Sequence, residues 1–318
     1  MGGSGGGSAT GGGGSASSGG GSGGGAQGGG SAAGGGSATG GGGAASGGGG
    51  ASTGGGTGGG TGGGGGNLDS GTDAGVDGGV DAGFSCVGRV VCDDFEGSGF
   101  PQAPFQITTS SGDVTLDTTR AVSGTHSVKI STDPTTPGDT YRHAMLSITG
   151  APLIPLANDT TYGRFMIYTD RIPDQTVHWT FAHGDGPIGD GTSSNYNLGG
   201  MGGLMANYYR DTSPAADCWQ TKDVPFPTGR WVCVAFLYDG QNNEIRFWMD
   251  GAEVPELHVL GNQKTAQTCT DSSVDGKWYA PQFGNLGVGW ESYQHDVDGG
   301  HVAWLDDVVF DTAPIPCP

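Results

Sequence analysis

Between Arg230 and Gly251 the chain reads RWVCVAFLYDGQNNEIRFWMDG. Trp231, Val232, Val234, Phe236 and Tyr238 are β-branched or aromatic, as a half-buried strand requires. Asp239-Gly240 and Asn242-Asn243 supply turn chemistry, and Ile245, Phe247 and Met249 resume with a period of two. A second Asp-Gly pair, Asp250-Gly251, closes the return strand. The stretch therefore predicts a β-hairpin. Outward from it, strands are expected at 87–95, 114–116, 126–130, 142–148, 162–168, 176–183, 203–210, 254–260, 285–291 and 301–310, joined by turns rich in Gly, Pro, Asn and Asp. No segment carries helical periodicity, so the expected fold is an all-β, two-sheet antiparallel sandwich.

The chain has 318 residues, and 40 of the first 66 are glycine, with Ser, Ala and Thr making up nearly all the rest. A segment with no charge and no apolar cluster cannot bury enough surface to offset the entropy of ordering it. Residues 1–66 are thus expected to form a disordered tether with a reach of roughly 45 Å. Residues 67–83, NLDSGTDAGVDGGVDAG, repeat Asp every fourth position without the bidentate Glu of a calcium loop and read as an acidic spacer. One globular domain is expected over 84–318.

All twelve Lys and Arg residues lie beyond the spacer, together with 28 of the 32 acidic residues, which gives the domain a net charge of −16. That disfavours nucleic acid and anionic membrane, both of which need a basic footprint. Six cysteines with no zinc spacing point to disulfides and an oxidising compartment. No run is long and apolar enough to span a bilayer. Met1 opens directly into glycine, so a leader or lipid anchor is expected upstream of the given start, with the domain extracellular or tethered at the cell surface as a monomer.

The hairpin, with its Trp, its apolar run ending in Tyr-Asp-Gly and its return strand ending in Asp-Gly, resembles the central hairpin of concanavalin-A-like and laminin-G-like jelly rolls. The ends of the domain, CDDFEG at 92–97 and LDDVVF at 305–310, resemble a narrower group: the core of a fungal secreted protein induced on cellulose, with glucuronan and alginate lyases. The resemblance implies a jelly roll with ligands across a concave face, and neighbouring first and last strands. On that basis Cys86 or Cys92 is expected to bridge to Cys317, and Cys218 to pair with Cys233 or Cys269. It also implies a structural Ca²⁺ held by Glu96 and Asp306, with Asp307 and Ser123 as further oxygen donors.

Alternation along TVHWTFAH places Val177, Trp179 and Phe181 on the core face and His178 with Thr180 on the other. In GLMANYYR, Leu204, Ala206 and Tyr208 point inward, which leaves Met205, Asn207 and Tyr209 facing the groove. In TYGRFMIY, Phe165 and Ile167 are buried and Arg164 points outward. Arg142 is a second candidate cation. A histidine, a tyrosine, an asparagine and one or two arginines are the set that uronate β-elimination needs: a neutraliser for the C6 carboxylate, a base for the C5 proton and an acid for the leaving O4. The expected function is polysaccharide lyase, with His178 as base, Tyr209 as acid and Asn207, Arg164 and Arg142 at the carboxylate. The alternative is a non-catalytic polysaccharide-binding domain. Tyr196, Trp219, Trp248 and Tyr293 are candidates to stack on sugars. The five glutamates lack the paired spacing of jelly-roll hydrolases.

Overall fold

The computed structural model describes residues 84–212, 216–221, 223–261, 268–269 and 277–318. The tether and the acidic spacer lie outside the described residues. In chain order the strands begin with β1 (Val91–Asp93), β2 (Gln106–Ser110), β3 (Gly112–Asp117), β4 (Ser127–Thr132), β5 (Arg142–Ile148) and β6 (Thr160–Thr169). There follow β7 (Trp179–Pro187), β8 (Ser193–Gly200), β9 (Leu204–Arg210), β10 (Ala216–Thr221), β11 (Trp231–Asp239) and β12 (Glu244–Met249). The last are β13 (Ala252–Glu253), β14 (Val259–Leu260), β15 (Thr268–Cys269), β16 (Asn285–Ser292) and β17 (Val302–Asp311).

They form two antiparallel sheets, the expected jelly-roll sandwich. One runs β13-β12-β11-β6-β17-β4-β3, with β1 added on β17 and β14 on β12. The other runs β15-β10-β9-β8-β7-β16-β5-β2. The hairpin is β11 and β12, closed with Asp239 opposite Glu244, and Val232, Val234, Phe236 and Tyr238 all point into the core. Between the sheets Trp179 stacks on Trp290 at 5.0 Å, and Tyr238 donates its hydroxyl across the core to the Ala182 carbonyl at 3.1 Å. Tyr196 belongs to this core and is fully buried, so it offers no face to a sugar.

Five strands, β2, β8, β10, β13 and β15, were not among those expected from the sequence. The segment expected as a strand over 254–260 instead makes a 3-10 turn, Pro255–Leu257, before the two-residue β14. The strand expected from residue 176 starts only at Trp179.

The disulfides correct the expected pairing. Cys86 closes on Cys92, and Cys317 bonds Cys233. Cys218 is disulfide-bonded as well, and across β10 and β15 it stands in register with Cys269. The strand neighbours behind the expectation are nevertheless present, since β1 pairs with β17. The tail beyond Asp311 leaves that strand and runs past Tyr162 and Trp248 to reach Cys233. Among the described residues no helix is long and apolar enough to cross a membrane.

Candidate active site

The outward face of the eight-stranded sheet carries a polar cluster, and it is built by alternation. On β16 Leu286, Val288 and Trp290 enter the core, so Gly287, Gly289 and Glu291 face out. On β5 Ala144, Leu146 and Ile148 enter, leaving His143, Met145 and Ser147 outside. The two strands pair His143 directly opposite Glu291.

Glu291 is the centre of the cluster, and its side chain is only 5% exposed. Oε1 accepts from His143 Nδ1 at 2.6 Å and from the Tyr141 hydroxyl at 3.3 Å. Oε2 accepts from the Tyr293 hydroxyl at 2.6 Å, with His183 Nδ1 4.0 Å away. Burial would raise this carboxyl, but the His143 hydrogen bond, the His183 charge and the Tyr293 hydroxyl hold it down at about 2. Because a carboxylate only accepts, His143 must carry its hydrogen on Nδ1. Its Nε2 lies 2.8 Å from Thr108 Oγ1, and Thr108 has a second partner in Ser147 Oγ at 2.9 Å. The rings of Tyr141 and His143 stack at 6.1 Å, and Tyr141 is 44% exposed. Burial first, then the Glu291 charge, pushes the Tyr141 phenol well up, so it stays protonated.

Further along the face, β7 contributes His183 and Asp185, β8 Asn195 and Asn197, β9 Asn207 and Tyr209, and β10 Asp217 and Trp219. Asn207 and Tyr209 therefore stand on the face that alternation assigned them, and Trp219 lies opposite Asn207. His183 owes its place to a bulge: the β7–β8 register shifts between Thr180 and Ala182, so Phe181 and Ala182 both enter the core. Strict alternation would have buried His183.

The other expected site residues serve the structure or lie on the other sheet. His178 precedes β7; its ring packs on Tyr293 at 4.9 Å and its Nε2 is buried without a hydrogen bond. Arg142 holds the loop before its own strand, reaching the Asp133 and Pro134 carbonyls at 3.1 and 2.8 Å and pairing with Asp139 at 3.0 Å. Arg164 is outward-facing but on the nine-stranded sheet, 3.9 Å from Asp307. Trp248 is on that sheet too, with the Arg246 guanidinium 5.0 Å above its ring. Tyr293 faces the cluster, where its hydroxyl is committed to Glu291. Glu291, His143, Tyr141 and His183 are residues the sequence reading passed over. The signal for Glu291 was present in NLGVGWESY, where large apolar residues alternate with Gly, Gly, Glu and Tyr.

The four expected calcium ligands gather around one loop. Glu96 accepts from the Thr125 and His126 amides at 2.7 and 2.6 Å, and Asp306 from the Val122 and Ser123 amides at 2.8 and 3.3 Å. The Ser123 hydroxyl donates to Asp307 at 2.7 Å. Burial, then the adjacent Asp307, pushes Asp306 up to about 8, and on neighbouring β1 the buried Asp93 Oδ2 has no hydrogen bond. Hard oxygen donors, several of them buried carboxyls, fit a divalent cation in their chemistry. Among the described residues, no three His, Cys, Asp or Glu side chains already converge as a metal cluster.

The fold and this polar face define an antiparallel sandwich with a buried carboxylate, histidine and tyrosine cluster on one outer face. A model of the polysaccharide-lyase-like family, the Cip1-like core domain, matches residues 96–313, and the chain belongs to that family. Among solved structures it is similar to an endo-β-1,4-glucuronan lyase from the fungus Trichoderma reesei, at 14% identity and a TM-score of 0.47 over 72% of this chain and 92% of that one. It is also similar to the globular domain of T. cruzi calreticulin, at 11% identity and a TM-score of 0.42 over 71% of this chain and 88% of that one. No curated protein sequence matches it.

Proposed function

We propose that this chain is an extracellular or surface-tethered lyase that cleaves a uronic-acid-containing polysaccharide by β-elimination. The observation that carries the reading is the 2.6 Å contact between Glu291 and His143 Nδ1, because it leaves Nε2 as the basic nitrogen. Thr108 can free that nitrogen by turning its hydroxyl hydrogen to Ser147 Oγ when substrate arrives. His143 removes the C5 proton, and Tyr141 beside it protonates the leaving O4. Once His143 is charged, its positive charge compensates Glu291, which lowers the Tyr141 pKa at the moment its proton is needed. Tyr209 cannot serve the same bond as His143, because four strand spacings separate β5 from β9, about 19 Å. Tyr209, Asn207 and Trp219 contact neighbouring sugars instead.

Elimination leaves a C4–C5 double bond conjugated to a carboxylate, which absorbs in the ultraviolet. Screening uronan polymers for that chromophore tests the proposal, and His143→Ala should cost about 10² to 10⁴ in rate with fold and retention on polymer kept. Wild-type protein that retains uronans and never yields the chromophore would leave the non-catalytic binding domain as the function.

The same proposal includes a structural Ca²⁺ held by Glu96, Asp306, Asp307 and Ser123, away from the chemistry. Calcium should raise the melting temperature, since a ligand at a hundredfold excess over its Kd stabilises by about 2.7 kcal/mol. Glu96→Gln should abolish that response, and an unchanged response would move the ion elsewhere.

A further inference from the structure

One hydrogen-bond chain runs across β10, β9, β8 and β7, and each link has a fixed direction. Asp217 and the Cys218 carbonyl only accept, so Asn207 turns its Nδ2 to them at 2.8 and 3.1 Å. That leaves Asn207 Oδ1 toward β8, where Asn197 Nδ2 donates to it at 3.3 Å and to Asn195 Oδ1 at 3.4 Å. Asn197 therefore presents Oδ1 to His183, and Nδ1, at 2.8 Å, must carry a hydrogen. On the far side of the ring, Nε2 meets the Asp185 carboxylate at 2.6 Å, and Asn285 Nδ2 donates to the same carboxylate at 2.7 Å. Both ring nitrogens are donors, and an imidazole with two N–H groups is a cation.

The groups facing the ring are Asp185 from β7, Asn197 from β8 and, 4.0 Å away, Glu291 from β16, with His143 from β5 on the opposite side of Glu291. Burial works against the charge, but the Asp185 hydrogen bond, the Glu291 and Asp185 charges and the Asn197 contact outweigh it, and the ring is pushed up to about 9. No outward-facing position on β5, β16 or β7 to β10 is a lysine or arginine. His183 keeps 15% of its side chain exposed.

We propose that His183, fixed as an imidazolium by the relay from Asp217, receives the C6 carboxylate of the substrate and makes the site selective for uronate over neutral sugars. The assignment rests on the lyase reading for the substrate, though not for the charge. Asn197 Oδ1 is a neutral acceptor on Nδ1–H, and a carboxylate oxygen that replaces it gains a charge-assisted hydrogen bond. Glu291 does not hold that N–H, because its nearer oxygen stands 4.0 Å from Nδ1, beyond hydrogen-bond reach.

The test is retention of the full chain on a polyuronate and on a neutral glucan, measured from pH 6 to 10, alongside unsaturated product. Wild type should be retained on the polyuronate alone and released as pH rises through about 9. His183→Gln should weaken retention about tenfold or more, and His183→Lys should restore much of it. Asp185→Asn removes the carboxylate on Nε2, so release should move to lower pH with the fold kept, read as melting temperature at pH 6. Equal retention of His183→Gln, or an unmoved release midpoint in Asp185→Asn, overturns the assignment; the second variant decides if the first does not fold. Product formed at wild-type KM by His183→Gln would sink this role and leave the lyase standing. Retention that tracks His183 with no product from any uronan would do the reverse.

Discussion

His178 and His143 lie near the same carboxylate and differ in what surrounds the ring. His143 has a partner for each nitrogen, whereas His178 packs on Tyr293 with Nε2 buried and unbonded. Burial, only partly offset by the Glu291 charge, pushes His178 down to about 4. Its ordinary value in the unfolded chain is about 6.5, so the neutral form is favoured on folding. The resulting stability is present above that value and is lost as pH falls from about 6.5 through about 4. His178→Phe should keep the ring contact and remove this acid sensitivity, so the gap between urea midpoints at pH 7 and pH 5 should narrow. Elimination rate should stay within a few-fold of wild type, where His143→Ala loses orders of magnitude. The sequence placed a histidine on this face through parity alone, and parity cannot say whether a strand has begun. The Gln294 side chain caps the His178 amide at 2.6 Å, one residue before β7 starts.

At the scale of elements, alternation was legible wherever strands are regular and failed where they bulge. GLMANYYR forms an unbroken β9, and Asn207 and Tyr209 face as their spacing implies. In β7 the extra residue between Thr180 and Ala182 reverses the parity of everything after it, which brings His183 and Asp185 out. A second shift, between Val288 and Glu291, lets β16 follow the bulged strand. Nothing in the order of side chains marks the bulge on its own strand; the mark is on the neighbour. A Cβ on Gly199 would lie 1.9 Å from the Trp179 carbonyl oxygen and 2.7 Å from the Thr180 Cα, so only glycine lets β8 close on the bulge. Gly199→Ala should therefore destabilise by about 1 to 3 kcal/mol and also disturb His183 by forcing the strands apart. A chemical-denaturation midpoint, with the pH of release from polyuronate as second readout, checks this. Unchanged values for both would mean the strands part without cost.

Over the whole molecule, alternation implied two sheets and the family resemblance the adjacency of first and last strands, but neither implied the path of the chain after the last strand. β1 lies on β17, so a bridge from Cys86 or Cys92 to Cys317 was a short step in strand order. The tail instead continues along the outer surface of the nine-stranded sheet, where Ile315 and Pro316 line a cavity of about 370 Å³ with Trp248 and Tyr162, and ends at Cys233 on β11. Disulfide pairing depends on such paths, which apolar period does not record. The two bridges close loops of very different length, 84 residues apart for Cys233 and Cys317 and 6 for Cys86 and Cys92. Constraint of the unfolded chain grows with the logarithm of loop length, giving about 4.5 kcal/mol for the long loop against about 2 for the short one. The double variant Cys233→Ser/Cys317→Ser should thus lose roughly twice the stability lost by Cys86→Ser/Cys92→Ser in urea unfolding. Equal losses would show that the tail stays docked by its apolar contacts alone, with the long bridge adding no constraint beyond them.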